Sequence, residues 1–462
     1  MTWVHGVGAE ASTRRLAELI ARSSADLKLV TEPDLSDHTG VLVCPGSLVS
    51  LTPILRSCAL VNLDVVVVTE RPGVDPWPAL KIGACDVLVW DDDVRPVLTR
   101  VERLREVDRL VRSSADAQAV VGQSGALRNA LRDLVVAARF GSSPILILGE
   151  TGTGKELAAR VAHDVGSAGR PNHLVVVDCT TIVPTLSGSE LFGHERGAFT
   201  GAIGTRTGAC AAANGGTLFL DEVGELALDL QPALLRVIQE GTYKRVGADT
   251  WQRSAFRLIC ATNRPLEKEV AAGRFRADLY HRIAACRVTL PPLSQRPEDI
   301  TMLFKAFLSD GRRHREEIEL SPAVERALLA RAYPGNLRDL RQLAVRVATR
   351  HVGNGPITPG DLPPEDRPRT PGGTPGTAGP VVEDPDTDRS SAQERFSKVV
   401  REQVRNGVSL KELREQVAEI AVTAALDDCG GNVRAAATQL GVTDRALHLR
   451  LAGERRTHEM DR

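Results

Sequence analysis

The sequence predicts a multidomain α/β protein that ends in an all-α domain, on three observations. Short apolar runs alternate with helical patterns through residues 1–113. A strand, a glycine-rich loop and a helical pattern follow one another without interruption at 144–165, and further apolar strands come after them. A stretch dominated by Pro, Gly, Thr and charge at 364–391, typified by PGGTPGTAGP, then isolates a helical tail. The 462 residues suit about three domains. The expected division is 1–113, 118–292, 293–356, a flexible linker over 357–391, and 392–462.

Composition narrows the class. Hydrophobic residues make up 42% and charged residues 25% of the chain, values of an ordinary soluble globular protein. The formal net charge of -1 gives no global basic field, so any nucleic-acid binding must be local. The 8 cysteines show no C-x-x-C pair and no zinc spacing, and they read as small core residues in a reducing compartment. No signal-peptide pattern is present, and no apolar run reaches the roughly 18 residues of a membrane span. A cytoplasmic protein with no membrane partner is expected.

In the first block, VLVC (41–44), LDVVVVTE (63–70) and DVLVW (86–90) suit strands buried on both faces of a small parallel sheet. The order, with ALKIGACDVLVWDDD near its end, resembles a response-regulator receiver domain. Phosphorylation of a receiver requires clustered carboxylates, an acceptor Asp and a Lys. Here TWVHGVG (2–8) has no acidic pair, Cys44 and Pro45 stand where the Asp would be, and Trp90 holds the Lys position. The expectation is a degenerate, unphosphorylated receiver-like domain; an unrelated α/β regulatory domain fits the same pattern.

The second block carries the chemistry. In PILILGETGTGKELAARVAHDV (144–165), Gly149, Gly154 and Lys155 satisfy G-x-x-x-x-G-K, and Gly152 adds backbone freedom. Such a loop turns successive N–H groups onto phosphate oxygens at a helix start, and Lys155 adds a point charge. The candidate nucleotide set is therefore Gly149, Glu150, Thr151, Gly152, Thr153, Gly154, Lys155 and Glu156, the last standing where the general pattern has Ser or Thr. A chance glycine-rich turn is the bland alternative, and the flanking strand and helix weigh against it. GGTLFLDEV (215–223) adds a strand ending in Asp221, a magnesium holder through water, and Glu222, which would polarise the attacking water. FRLICATN (256–263) ends in Asn263, placed to sense a γ-phosphate.

Taken in order, GETGTGKELAAR, SELFGHERGAFTGA, GGTLFLDEVGEL, LQPALLRVIQEGTYKRVG, GRFRADLYHRI, LPPLSQRPEDI and YPGNLRDLRQL resemble the AAA+ domain of sigma-54-dependent transcriptional activators, the bacterial enhancer-binding proteins. The resemblance covers residues 120–351, roughly half the chain, and GAFTGA in its ELFGHE context is its most specific part. It implies a P-loop ATPase core with an α-helical lid, ATP with Mg2+, assembly from dimer to hexamer, and sigma-54 RNA polymerase holoenzyme as partner. Gly197, Ala198, Phe199, Thr200, Gly201 and Ala202 become the sigma-54 contact, with Phe199 exposed on glycine hinges. Arg276 and Arg282 match arginine fingers reaching a neighbouring subunit's nucleotide, and Arg338 matches the sensor II arginine. Ser321–Pro322 makes a sound start for a lid helix. The family's switch commonly has Asn before Cys in the LVVVDCTTI stretch, where this chain has Asp178; an ionised Asp accepts hydrogen bonds and would repel Glu222.

The tail, with NVRAAATQL, Gly441, Thr443 as N-cap and DRALHLRLA, has helix-turn-helix spacing and resembles the Fis-type domain that ends such activators. The resemblance implies upstream enhancer DNA as partner, through Arg434, Thr443, Arg445, His448 and Arg450. Asp444 and Leu449 stand where basic residues are usual, and a plain three-helix bundle fits the spacing as well. Three functions stay open at this level: an ATP-driven sigma-54 activator, an AAA+ remodeller of another client, and a binding regulator with a vestigial ATPase. The complete motif set disfavours the third, and GAFTGA disfavours the second.

Overall fold

The computed structural model describes residues 2–367, apart from 9, 36–38, 45–47, 62, 168–171, 183–186, 311–317 and 354; beyond them it describes only Val422, Ala425, Asn432 and Val433. The sequence-read DNA-contact set (Arg434, Thr443, Arg445, His448 and Arg450) lies outside the described residues, as do the linker from 368 onward and Asp444.

Strands β1 (Thr2–Gly6), β2 (Leu27–Leu29), β3 (Thr39–Cys44), β4 (Asp64–Thr69) and β5 (Ala84–Val89) form an all-parallel sheet in the order β2-β1-β3-β4-β5. Helices α1 (Ala11–Arg22), α2 (Thr52–Leu60) and α3 (Trp77–Ile82) pack on it. Every residue of β3 and β4 is buried, because both strands are interior and covered on both faces. Gly40 in β3 has no alternative residue: a Cβ there would lie 2.1 Å from the Trp3 ring.

Helix α4 (Arg95–Ala117) leaves this sheet and serves two cores. Val97 and Val101 pack with β3, β4 and α1, while Val107 and Val111 pack with Leu127, Leu131, Leu134 and Val135 of the following helix, α5 (Gly125–Phe140). The packing therefore changes hands inside the helix, upstream of the break at 113–121 that the sequence pattern suggests. Arg132 of α5 seals the junction, pairing with Asp64 of β4 and, at 3.6 Å, with Asp108 of α4. Ser124 caps α5, its hydroxyl accepting from the Leu127 N–H.

The second sheet is built from β6 (Ile145–Leu148), β7 (Leu174–Asp178), β10 (Thr217–Asp221), β13 (Arg257–Thr262) and β14 (Cys286–Thr289), all parallel, in the order β14-β6-β13-β10-β7. Strand alternation divides its side chains. Ile145, Ile147, Phe219, Ile259 and Ala261 face α5 and α6 (Lys155–Ser167); Leu146, Leu218, Leu220, Leu258 and Cys260 face the opposite layer, which includes α9 (Gln231–Glu240) and α11 (Ala277–Ile283). Cys179, Cys210 and Cys260 belong to that layer as small core residues, and burial pushes the Cys179 and Cys210 thiols up to about 12. Smaller elements fill the connections: α7 (Ser187–Phe192), the pair β8 (Gly193–His194) and β9 (Arg206–Thr207), α8 (Ala209–Ala212), the hairpin β11 (Thr242–Lys244) and β12 (Trp251–Arg253), and α10 (Leu266–Ala271).

The lid comprises α12 (Ile300–Asp310), α13 (Pro322–Ala330) and α14 (Asn336–Arg350) around Phe304, Leu340, Leu343 and Val347. It does not stop at 356 as expected. Ile357 and Leu362 are buried in its core, and Asp366 pairs with Arg331 and Arg346 at 3.0 and 2.6 Å. The polar sequence after 356 hides two apolar anchors too few to show a period.

Candidate nucleotide site and coupling loop

The β6–α6 turn places the glycine loop at the carboxyl end of the sheet, next to β13 and β10. A cleft of about 700 Å³ opens there. Thr151, Gly152, Gly154, Lys155, Glu156, Asp221 and Glu222 line one side, and Phe307, Leu337, Arg338, Arg341, Gln342, Val345 and Arg346 of the lid line the other. Gly152 and Gly154 have φ values of 77° and 101°, the left-handed region that lets their N–H groups turn. Lys155 is 7% exposed and donates to the Gly149 carbonyl at 3.1 Å and the Glu150 carbonyl at 3.4 Å.

One carboxylate meets that lysine, and a second stands beside it in sequence. Glu222 Oε1 is 3.2 Å from Lys155 Nζ, and its Oε2 accepts the Asn263 N–H at 3.0 Å. Asn263 Nδ2 donates to Thr151 Oγ1 at 2.9 Å, so this residue joins the β10 acid to the glycine loop. Glu222 itself sits at φ 49°, a strained backbone for a non-glycine residue. Asp221 accepts the Glu222 N–H at 3.0 Å. Burial, then the charge of Glu222 and more weakly that of Asp178, hold the Asp221 carboxyl above its ordinary range.

Asp178 lies beside Asp221 in the β7–β10 register, yet its carboxylate does not turn to Glu222. Its Oδ1 accepts both the N–H and the hydroxyl of Thr180, at 2.8 and 2.7 Å. The direct Asp178–Glu222 contact that a switch would need is therefore replaced by a local turn, because the Thr180 N–H and hydroxyl two residues on are the donors within reach of the Asp178 side chain.

Arg276 and Arg282 do not line the cleft of their own chain. Arg276 forms a two-pronged pair with Asp278, at 3.0 and 2.7 Å, and Arg282 faces a separate cavity of about 400 Å³. Residues that the sequence pattern did not single out include Asn336, which is 1% exposed and donates to Glu150 and Thr151, and the cleft-lining Phe307, Arg341 and Gln342. Asn336 lies within PGNLRDL, and its φ of 51° requires a residue tolerant of the left-handed region, the one local sign of a special role.

The GAFTGA segment hangs between β8 and β9. Gly197 and Gly201, at φ 82° and 99°, turn the loop, and the Gly197 N–H donates across it to the Ala202 carbonyl at 2.9 Å. Glu195 ties the loop base to the β11–β12 hairpin through Arg245 at 2.9 Å. Gly247 packs so tightly that a Cβ there would lie 2.8 Å from the Ala198 side chain. The expectation of an exposed Phe199 needs correction. Its ring packs on His194 edge-to-face, with centroids 4.9 Å apart, and is half-buried; Thr200 and Ile203 are exposed instead.

Residues 120–289 match the model of the sigma-54 interaction domain, and 294–378 match the AAA+ ATPase lid domain. The nitric oxide reductase transcription regulator NorR2 of Cupriavidus necator is 37% identical over 404 residues, covering 81% of this chain and 74% of the relative. The chain belongs to the sigma-54-dependent transcriptional activators. The Nif-specific regulatory protein of Rhizobium leguminosarum bv. trifolii is similar at 44% identity over 244 residues, covering 53% of this chain and 68% of the relative. Among solved structures, NtrX from Brucella abortus in complex with ATP has a TM-score of 0.50 at 25% identity, covering 98% of both chains. As in other sigma-54 activators, the central domain is an ATP-binding ATPase, and its α/β core with a helical lid is the AAA+ architecture. No helix among the described residues is long and apolar enough to cross a membrane.

Proposed function

We propose that this activator binds upstream DNA through its tail, assembles from dimers into a hexamer, and spends ATP hydrolysis on remodelling the sigma-54 RNA polymerase closed promoter complex. The observation that carries the reading is the GAFTGA loop, held by the β8–β9 pair and tied through Glu195 and Arg245 to the β11–β12 hairpin. Glu222 then orients the attacking water once nucleotide takes over the charge of Lys155. Arg276 and Arg282, facing away from their own cleft, complete the site of the next subunit, and Arg338 reports nucleotide state to the lid. Mg2+ suits this acid set, since Asp221 lies at the strand end beside Glu222 and Asp178, and burial followed by the Glu222 charge holds its carboxyl above the ordinary range, a cost that a cation there would relieve. Asp221 would hold the ion, which would screen the phosphate charge.

Phe199 and Thr200 are the residues presented to polymerase when the loop leaves His194. The N-terminal sheet is read as a receiver-like regulator without receiver phosphochemistry. The test is sigma-54-dependent transcription in vitro with the full chain. Thr200→Ala should keep ATPase turnover and lose open-complex formation. Full activation by that variant would remove the loop from the mechanism, and an inactive full chain on every sigma-54 promoter tried would remove the function.

A further inference from the structure

A glycine loop binds phosphate with its N–H groups, so its carbonyls point away and need partners. Three consecutive carbonyls of this loop are received by groups from the lid side. Asn336 Nδ2 donates to the Thr151 carbonyl at 3.1 Å, the Leu337 N–H to the Gly152 carbonyl at 2.9 Å, and Arg296 Nη2 to the Thr153 carbonyl at 3.2 Å. The approach is close enough that a Cβ on Gly152 would stand 2.2 Å from the Gly335 carbonyl oxygen. Peptide units are planar, with each C=O opposite to the next residue's N–H. Holding the Thr151 and Thr153 carbonyls therefore fixes the N–H groups of Gly152 and Gly154 to the other side, where both residues line the cleft, while the Thr153 N–H turns back to the Glu150 carbonyl at 3.4 Å.

The two side chains involved are buried as few polar groups are. Asn336 is 1% and Arg296 2% exposed. Asn336 is fixed from behind, its Oδ1 accepting the Leu293 N–H at 2.7 Å. Arg296 opens the short turn that ends in Asp299, which is 0% exposed and accepts the N–H groups of Gln123 and Ser124 at 2.7 and 2.9 Å. A buried guanidinium is costly, and desolvation lowers the pKa of Arg296. The charge of Asp299 offsets part of that cost, and Nη2 is given to the loop carbonyl.

We infer that Arg296 and Asn336 are positioning residues that clamp the outer carbonyls of the glycine loop, so that lid orientation sets how well its N–H groups receive a nucleoside diphosphate. The inference rests on the reading of this cleft as the ATP site. Asn336→Asp keeps the shape, the left-handed tolerance and the acceptor for Leu293 but removes the donors to both Thr151 and Glu150 Oε2. It is therefore compared in a Glu150→Gln background, whose amide can donate to the new carboxylate and leaves the loss at Thr151 as the difference. Arg296→Lys is the second variant, keeping the charge and shortening the reach, and it carries the test if the first fails to fold.

Calorimetry on the full chain measures ADP and adenosine, with melting temperatures recorded alongside. The clamp predicts ADP binding weakened by about tenfold, one hydrogen-bond-sized term, with adenosine unchanged within about a factor of two. Unchanged ADP binding overturns the clamp, and so does equal weakening of both ligands, which would mean general damage to the cleft. A wild-type chain that binds neither ligand overturns the site reading instead.

Discussion

The two parallel sheets of this protein share an architecture and differ in what stands at their carboxyl ends. Both have five strands, both bury their interior strands on two faces, and both are crossed by helices. The second sheet ends in the glycine loop, Asp178, Asp221 with Glu222, and Asn263. The first ends in Gly6, Cys44, Thr69 and Val89, and Cys44 and Thr69 are fully buried. A parallel sheet supplies a crevice; the residues on its loops decide whether any chemistry occurs there.

The largest expected effect tests that contrast directly. Glu222→Gln should lower ATP turnover by roughly 10²–10³-fold while ATP binding persists, whereas Cys44→Ser at the equivalent end of the first sheet should leave turnover unchanged. Steady-state ATPase assays with parallel nucleotide binding decide it; a lasting rate in the first variant would free Glu222 of its role. Next is the junction between the sheets. Arg132→Met leaves the buried Asp64 without this cation and should cost about 3–5 kcal/mol in denaturant unfolding. A much smaller cost would mean that the two sheets are joined by α4 alone.

The third prediction concerns pH. Asp221 keeps its proton to a higher pH in the folded state than in the unfolded chain, because its folded pKa is raised. The folded state therefore binds more protons across that window, and stability falls as pH rises through it. Asp221→Asn should melt higher than wild type at neutral pH and lose the advantage toward about pH 4, near the ordinary carboxylate value, while turnover is abolished. An equal gap at both pH values would place the strain elsewhere. The smallest effect is expected at Asp178→Asn, since the amide oxygen still accepts from Thr180. Turnover should shift by less than about tenfold, under ~1.4 kcal/mol, and a larger shift would restore a direct switch with Glu222.

Motif residues were legible in the sequence where chemistry is contiguous. The loop from Gly149 to Lys155, the strand ending in Asp221 and Glu222, and GAFTGA each need only neighbours along the chain. Asn336 and Arg296 were not legible as loop partners. Each contacts the glycine loop across more than a hundred residues, and no local period marks such a pairing. The same holds for α4, whose amphipathic pattern shows that it buries a face without showing that Val101 and Val107 belong to different cores.

By itself, then, the sequence determined the α/β class and marked the glycine loop, the acids that end β10 and the GAFTGA segment, because these follow from residue type and short spacing. Tertiary structure alone decided which partners those groups hold. Asp178 turns to Thr180, Phe199 rests on His194, Arg132 joins the two sheets, and the lid grips the loop's carbonyls. Each of these is a competition between a near donor or surface and a distant one, and it is settled only when the chain has brought both within reach.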